Sequence, residues 1–253
     1  MKYVIFGDES TLPGMQAAFG SDAVLSVVAS NRPQSRSVIR GSEAVHPAKT
    51  SAERHAFIER LKATGADAFA CFSYSMILDA EILAIPRLGA VNIHGGLLPS
   101  HRGANIVNWT LVEGATVTGV TAHYMTTGID EGDIIYQSRT SILDEDTAAT
   151  LKQRLDALGF DMLLRIQAEL KAKGALPRIA QDPAKAHYYP RRKPEDGRID
   201  WTAMNDRQVF NLIRALVNPW PGAFCDTTDN GRVVFDRYYS LDEVAALRSR
   251  YGG

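Results

Sequence analysis

The chain predicts an α/β fold built on a mostly parallel central sheet. Two observations carry this. Four short runs between Lys2 and His94 are apolar at consecutive positions rather than at alternate ones, as strands covered on both faces require. Segments with helical spacing of apolar residues separate those runs, so each strand is followed by a crossover.

The elements follow in order. Lys2 to Phe6 reads as the first strand and Leu12 to Phe19 as a helix. Ala23 to Ala29 is the second strand. Asn31 to Lys49 is polar and reads as irregular. Ala52 to Ala63 is helical, Ala68 to Phe72 is the third strand, Ile77 to Ile85 a short helix and Ala90 to His94 the fourth strand. The pattern then changes. Gly119 to Met125 and Asp133 to Ile142 are strands joined by a short Gly-containing loop. Asp146 is placed to cap the next helix, whose stripe of Leu151, Leu155, Leu158, Met162, Ile166 and Leu170 reads as core packing. From Pro177 the chain is richer in Pro, Arg and Tyr. Tyr188 to Pro194 reads as an extended linker, Val209 to Val217 as a helix and Val233 to Tyr239 as a final strand. The boundaries expected are a catalytic domain over 1–176 and a small C-terminal subdomain over 177–253.

Composition narrows the function. The 253 residues are 45% hydrophobic and 23% charged, with net charge −1, so no global excess of charge points to nucleic acid or an anionic membrane. Cys71 and Cys225 lie in apolar stretches without metal-ligand spacing and read as buried thiols. No apolar run reaches membrane-spanning length, and the expected location is cytoplasmic. After the first strand comes Gly7-Asp8-Glu9-Ser10-Thr11-Leu12-Pro13-Gly14, which lacks the G-x-G-x-x-G pattern and would set two carboxylates against a pyrophosphate.

The informative segment is Asn92-Ile93-His94, then Leu97-Leu98-Pro99-Ser100-His101-Arg102-Gly103, then Gly128-Ile129-Asp130-Glu131-Gly132-Asp133. Asn92 and His94 stand two apart on a strand and therefore share a face at its carboxyl end, where open α/β sheets bind ligands. An amide donates to an oxyanion, an imidazole carries a proton, and a carboxylate orients or charges the imidazole. Together they suit acyl transfer between nitrogens through a tetrahedral intermediate. Each residue alone also has a structural reading: a strand-end histidine, a turn aspartate, an unremarkable asparagine.

Asn92-x-His94, Leu97-Leu98-Pro99 with Arg102-Gly103, Thr118-Gly119-Val120-Thr121 and Asp130-x-Gly132-Asp133 together resemble the 10-formyltetrahydrofolate-dependent formyltransferases. The segments Arg191 to Trp201 and Pro219 to Phe224 resemble the formyltransferase region of the enzyme acting on UDP-4-amino-4-deoxy-L-arabinose. The resemblance implies a Rossmann-like formyltransferase fold with a C-terminal subdomain. It implies Asn92, His94 and Asp130 as the catalytic set and 10-formyltetrahydrofolate as formyl donor, with no metal. Met76, Ile77, Leu78, Leu97, Thr126, Thr127, Gly128 and Ile129 would line the pterin pocket. Tyr74, Trp109 and Tyr124 are candidate substrate-ring contacts. Arg102, Arg191, Arg192 and Lys193 are candidate phosphate contacts. Two positions depart from the pattern: Gly96 stands where Ser is usual, and Ala104 where the arabinose enzyme has Arg.

The acceptor expected is the amine of a nucleotide-linked amino sugar. Methionyl-tRNA formyltransferases usually carry a further C-terminal barrel, and about 30 residues follow Phe224, too few for it. Glycinamide ribonucleotide transformylases usually lack the Trp220-Pro221-Gly222-Ala223-Phe224 segment. The alternatives are a methionyl-tRNA formyltransferase-like enzyme without the barrel, a non-catalytic folate-binding module, and a hydrolase releasing formate. Neither nucleic acid nor membrane is expected as a partner. A homodimer is open, with Val233 to Phe235 as a pairing strand.

Overall fold

The computed structural model describes residues 1–29, 43–46, 50–227 and 231–252. Seven strands form one sheet in the order β3-β2-β1-β4-β5-β7-β8. β1 (Tyr3–Gly7), β2 (Ala23–Ala29), β3 (Glu43–His46), β4 (Ala68–Phe72) and β5 (Ala90–His94) run parallel. The short β6 (Arg102–Gly103) lies outside this sheet, which closes with β7 (Val117–Tyr124) and β8 (Ile134–Ser141), both antiparallel to their neighbours. The apolar runs read from sequence are the buried strands. β3 is an addition: it falls within the segment expected to be irregular, and residues 31–42 and 47–49 of that segment lie outside the described residues.

Helices cover both faces. α1 (Leu12–Phe19) buries Leu12, Met15 and Phe19, a helical spacing, and begins with Pro13 in its first turn, where a missing N–H costs nothing. α2 (Ser51–Ala63) is capped by Thr50 Oγ1, which accepts from the Glu53 N–H. α3 is only Ala80–Leu83, shorter than the helix expected over Ile77–Ile85. Asp79 caps it, accepting from Glu81 and Ile82, so Met76, Ile77 and Leu78 precede the helix; Ile85 is restricted by Pro86. α4 is Ile106–Val112.

α5 (Ala148–Lys173) carries the expected stripe. Leu151, Leu155, Met162, Ile166 and Leu170 are buried, and Leu158 is partly so. Its cap is Thr147, in a reciprocal pair with Thr150, rather than Asp146. Asp146 instead accepts from the Leu143 N–H and pairs with Arg154. The helix ends at Gly174 in the left-handed conformation (φ 70°).

The C-terminal region is more structured than its sequence suggests. Tyr188–Tyr189 is a strand, β9, parallel to β6, where a linker was expected. α6 spans Asp206–Ala215, capped by Asn205. β10 (Ala223–Asp226) and β11 (Arg232–Phe235) form a hairpin. The expected strand to Tyr239 stops at Phe235, and α7 (Leu241–Tyr251) follows behind a Ser240/Glu243 capping box. Val209, Phe210, Leu212, Ile213, Phe235 and Val244 belong to the same apolar cluster as the α5 stripe. The subdomain therefore packs onto the sheet domain through a shared core. Among the described residues, no helix is long and apolar enough to cross a membrane.

Candidate active site

β5 and β7 build the centre of the site. Their antiparallel register sets Asn92 opposite His123 and His94 opposite Thr121. Alternation then puts these four side chains on one face and Ile93, Ala122 and Tyr124 on the other, against the α5 core. Asp130 arrives from the loop between β7 and β8. Its backbone is left-handed (φ 55°), which an aspartate tolerates better than most residues. Gly132 lets that loop close, since a Cβ there would sit 1.8 Å from the Tyr124 carbonyl oxygen.

The sequence-derived trio is brought together. His94 Nδ1 lies 3.5 Å from Asp130 Oδ2, with their side chains 8% and 11% exposed. His94 Nε2 donates to the His101 carbonyl at 2.5 Å. Asp130 Oδ2 accepts from the Gly103 N–H at 2.9 Å. His123, which sequence reasoning did not single out, completes the cluster. Its Nε2 lies 3.1 Å from Asn92 Nδ2 and 3.4 Å from Asp130 Oδ1. Strand parity puts His123 on the face of Thr121, but only the β5–β7 register sets it beside Asn92.

Electrostatics fix the resting charges. Burial lowers the His94 pKa, and the Asp130 charge only partly offsets this. Burial alone would raise the Asp130 carboxyl, but the neighbouring His94 and His123 rings and the Gly103 N–H outweigh it and hold the group at about 2. At neutral pH the cluster is thus a carboxylate beside a neutral His94.

The loop over His94 is tied down. Thr121 Oγ1 donates to the Gly96 carbonyl (2.6 Å) and accepts from the Leu98 N–H (3.1 Å). Gly96 is tightly enclosed: a Cβ there would meet Ile106 Cγ2 at 2.7 Å, His94 Nε2 at 3.0 Å and the His101 carbonyl at 3.1 Å. The departure at this position therefore makes room for the loop carbonyl on His94. The His101 ring stacks on Tyr189 with centroids 5.5 Å apart.

Other expected residues fall in three places. Met76 to Leu78, after β4, and Thr126 to Ile129, after β7, are irregular segments, with Ile77 70% and Ile129 46% exposed and Leu78 buried. Leu97 packs over β7, where a Cβ on Gly119 would come within 2.8 Å of its Cδ2. Trp109 donates from Nε1 to the Pro190 carbonyl (2.9 Å), and the Arg192 guanidinium lies 4.5 Å from its ring centroid. Arg192 Nε is buried without a hydrogen-bond partner. Lys193 and Arg191 are exposed.

Three expected ligand contacts are engaged elsewhere. Arg102 donates twice to Gln181 Oε1 (3.1 and 2.8 Å), and Gln181 Nε2 donates to the Asp130 and Gly132 carbonyls (2.8 and 2.7 Å). Arg102 thus braces the Asp130 loop through a glutamine the sequence did not flag. Tyr124 points to the opposite face, 7% exposed, with Arg178 3.6 Å from its ring centroid. Tyr74 hydrogen-bonds His46 Nδ1 (2.6 Å) and packs against Phe6. Asn108, adjacent to Trp109, is fully buried and donates to the Ala215 carbonyl at 2.6 Å, joining α4 to α6.

The chain matches known proteins in sequence and in fold. Residues 4–166 match the family model described as formyl transferase, and residues 191–246 match that of the formyl transferase C-terminal domain. The chain belongs to the formyl transferase family. Solved structures agree on the fold. A sugar N-formyltransferase from Shewanella sp FDAARGOS_354 is 19% identical over 95% of this chain and 97% of that one, with a TM-score of 0.75. WlaRD, a sugar 3N-formyl transferase determined with dTDP and 5-N-formyl-THF, is 19% identical over 86% of this chain and 79% of that one, at 0.60. HypX from Aquifex aeolicus, in complex with tetrahydrofolic acid, is 16% identical over 90% of this chain but 36% of that one, at 0.65.

Proposed function

We propose that this enzyme moves a formyl group from 10-formyltetrahydrofolate to the amine of a nucleotide-linked amino sugar. The observation that carries the reading is the convergence of Asn92, His94 and Asp130 at the carboxyl end of β5. The donor supplies the formyl carbon. The residues present fit its pterin: Met76 to Leu78 keep their peptide groups outside α3, and Ile77 and Ile129 leave apolar surface uncovered. Asn92 donates an amide hydrogen to the oxygen on which negative charge develops. His94, neutral at rest, takes the proton that the attacking amine must lose. Asp130 steadies the imidazolium so formed.

The sugar-nucleotide half of the reading is supported by the likeness to sugar N-formyltransferases, one of them determined with dTDP. It is also supported by Arg192, whose Nε lacks a partner beside Trp109. A cation and an aromatic plane together suit a charged, ring-bearing acceptor. His94→Ala and Asp130→Ala should each lose about 100-fold or more in kcat while retaining the native melting profile. Near-native turnover in either variant would remove the assigned mechanism.

A further inference from the structure

Two imidazoles, rather than one, turn a bare nitrogen toward Asp130. A carbonyl oxygen can only accept, so the 2.9 Å contact with the Tyr124 carbonyl places a hydrogen on His123 Nδ1. The His101 carbonyl does the same at His94 Nε2. In the neutral rings the remaining nitrogens are His123 Nε2 and His94 Nδ1. They face different oxygens of one carboxylate, at 3.4 and 3.5 Å. Asn92 Nδ2 gives His123 Nε2 one hydrogen bond, which leaves its second amide hydrogen for another acceptor. His123 itself is 2% exposed and acts through Asn92.

We propose that His123 is a positioning residue for the formyl transfer, fixing the Asn92 amide by its nitrogen end. This rests on the formyl-transfer reading above. In that step the bond from the amine nitrogen to the formyl carbon forms, and the bond from that carbon to the donor nitrogen breaks. One proton passes from the first nitrogen to the second, resting on His94 in between. His123 fixes the amide that meets the oxygen, while Asp130 stabilises this resting proton.

The test has two arms. Nitrogen NMR of the histidine side chains in the full chain, without substrate near neutral pH, should find His123 protonated at Nδ1 and His94 at Nε2. A hydrogen on His123 Nε2 instead would overturn the proposal. In the transfer assay, His123→Ala should lower kcat about 100-fold with the donor KM within about 3-fold. His123→Gln, whose side-chain amide reaches the place of Nε2, should recover about tenfold of that loss. A folded His123→Ala with near-native kcat, or a His123→Gln no better than His123→Ala, would also overturn it. The NMR arm needs no acceptor. If the native protein formylates no amino sugar, the substrate reading fails, while the tautomers still decide the role of His123.

Discussion

Asp130 combines a left-handed backbone with a carboxylate that has donors or imidazoles on both oxygens. The backbone conformation costs an L-residue about 1–2 kcal/mol, less for aspartate. The side chain works against that cost, since a pKa held near 2 against an ordinary 3.8 makes the ionised carboxylate a stabilising contribution. The sign follows from the lowered value. This contribution is fully present above pH 3.8 and is lost as pH falls toward 2. Asp130→Asn should flatten the acid limb of a urea-unfolding profile in that window, and an unchanged limb would contradict the pairing. His94 acts in the other sense: its pKa is depressed, so the folded state resists the proton and stability declines as pH drops below 6.5. At Gly96, a methyl would press on Ile106 and on the His94–His101 contact. Gly96→Ala should therefore cost about 1–3 kcal/mol and lower kcat about tenfold, read from urea unfolding and steady-state rates. An unchanged rate would mean the loop carbonyl does not set His94.

At the scale of elements, α5 and the sheet meet through a glycine. A Cβ at Gly159 would lie 2.5 Å from Phe72 Cζ and 3.0 Å from Ile93 Cγ2. Within a helix, Gly→Ala ordinarily gains about 1 kcal/mol. Here overpacking costs about 1–3 kcal/mol, so the clash wins. Gly159→Ala should lower the urea midpoint; a higher midpoint would show that Phe72 yields freely. What was legible at this scale follows from pattern strength. Ala23–Ala29, Ala68–Phe72 and Ala90–His94 are read to the residue because burial on both faces makes each run apolar at most of its positions. β3 was not legible: four residues at a sheet edge, Glu43–His46, carry too little apolar pattern. α7 was missed although Ser240 and Glu243 form a capping box, because the helix buries only Val244 fully. Asn92 and His94 were legible from strand parity. His123 needed the β5–β7 register, which no periodicity supplies.

For the whole molecule, the two regions share one core and one site. Gln181 and Tyr189 reach back from the C-terminal side to the Asp130 loop and the His101 ring, while the α6 and α7 cores merge with that of α5. The subdomain therefore braces the Asp130 loop and the His101 ring. That acceptor defines the enzyme. The most direct measurement mixes the pure protein with 10-formyltetrahydrofolate and each of three amines: nucleotide-linked amino sugars, methionyl-tRNA and glycinamide ribonucleotide. Mass spectrometry then reads the added formyl group. Formylation of an amino sugar alone is the predicted result. Formylation of methionyl-tRNA or glycinamide ribonucleotide alone, or release of formate with none of the three modified, would contradict it.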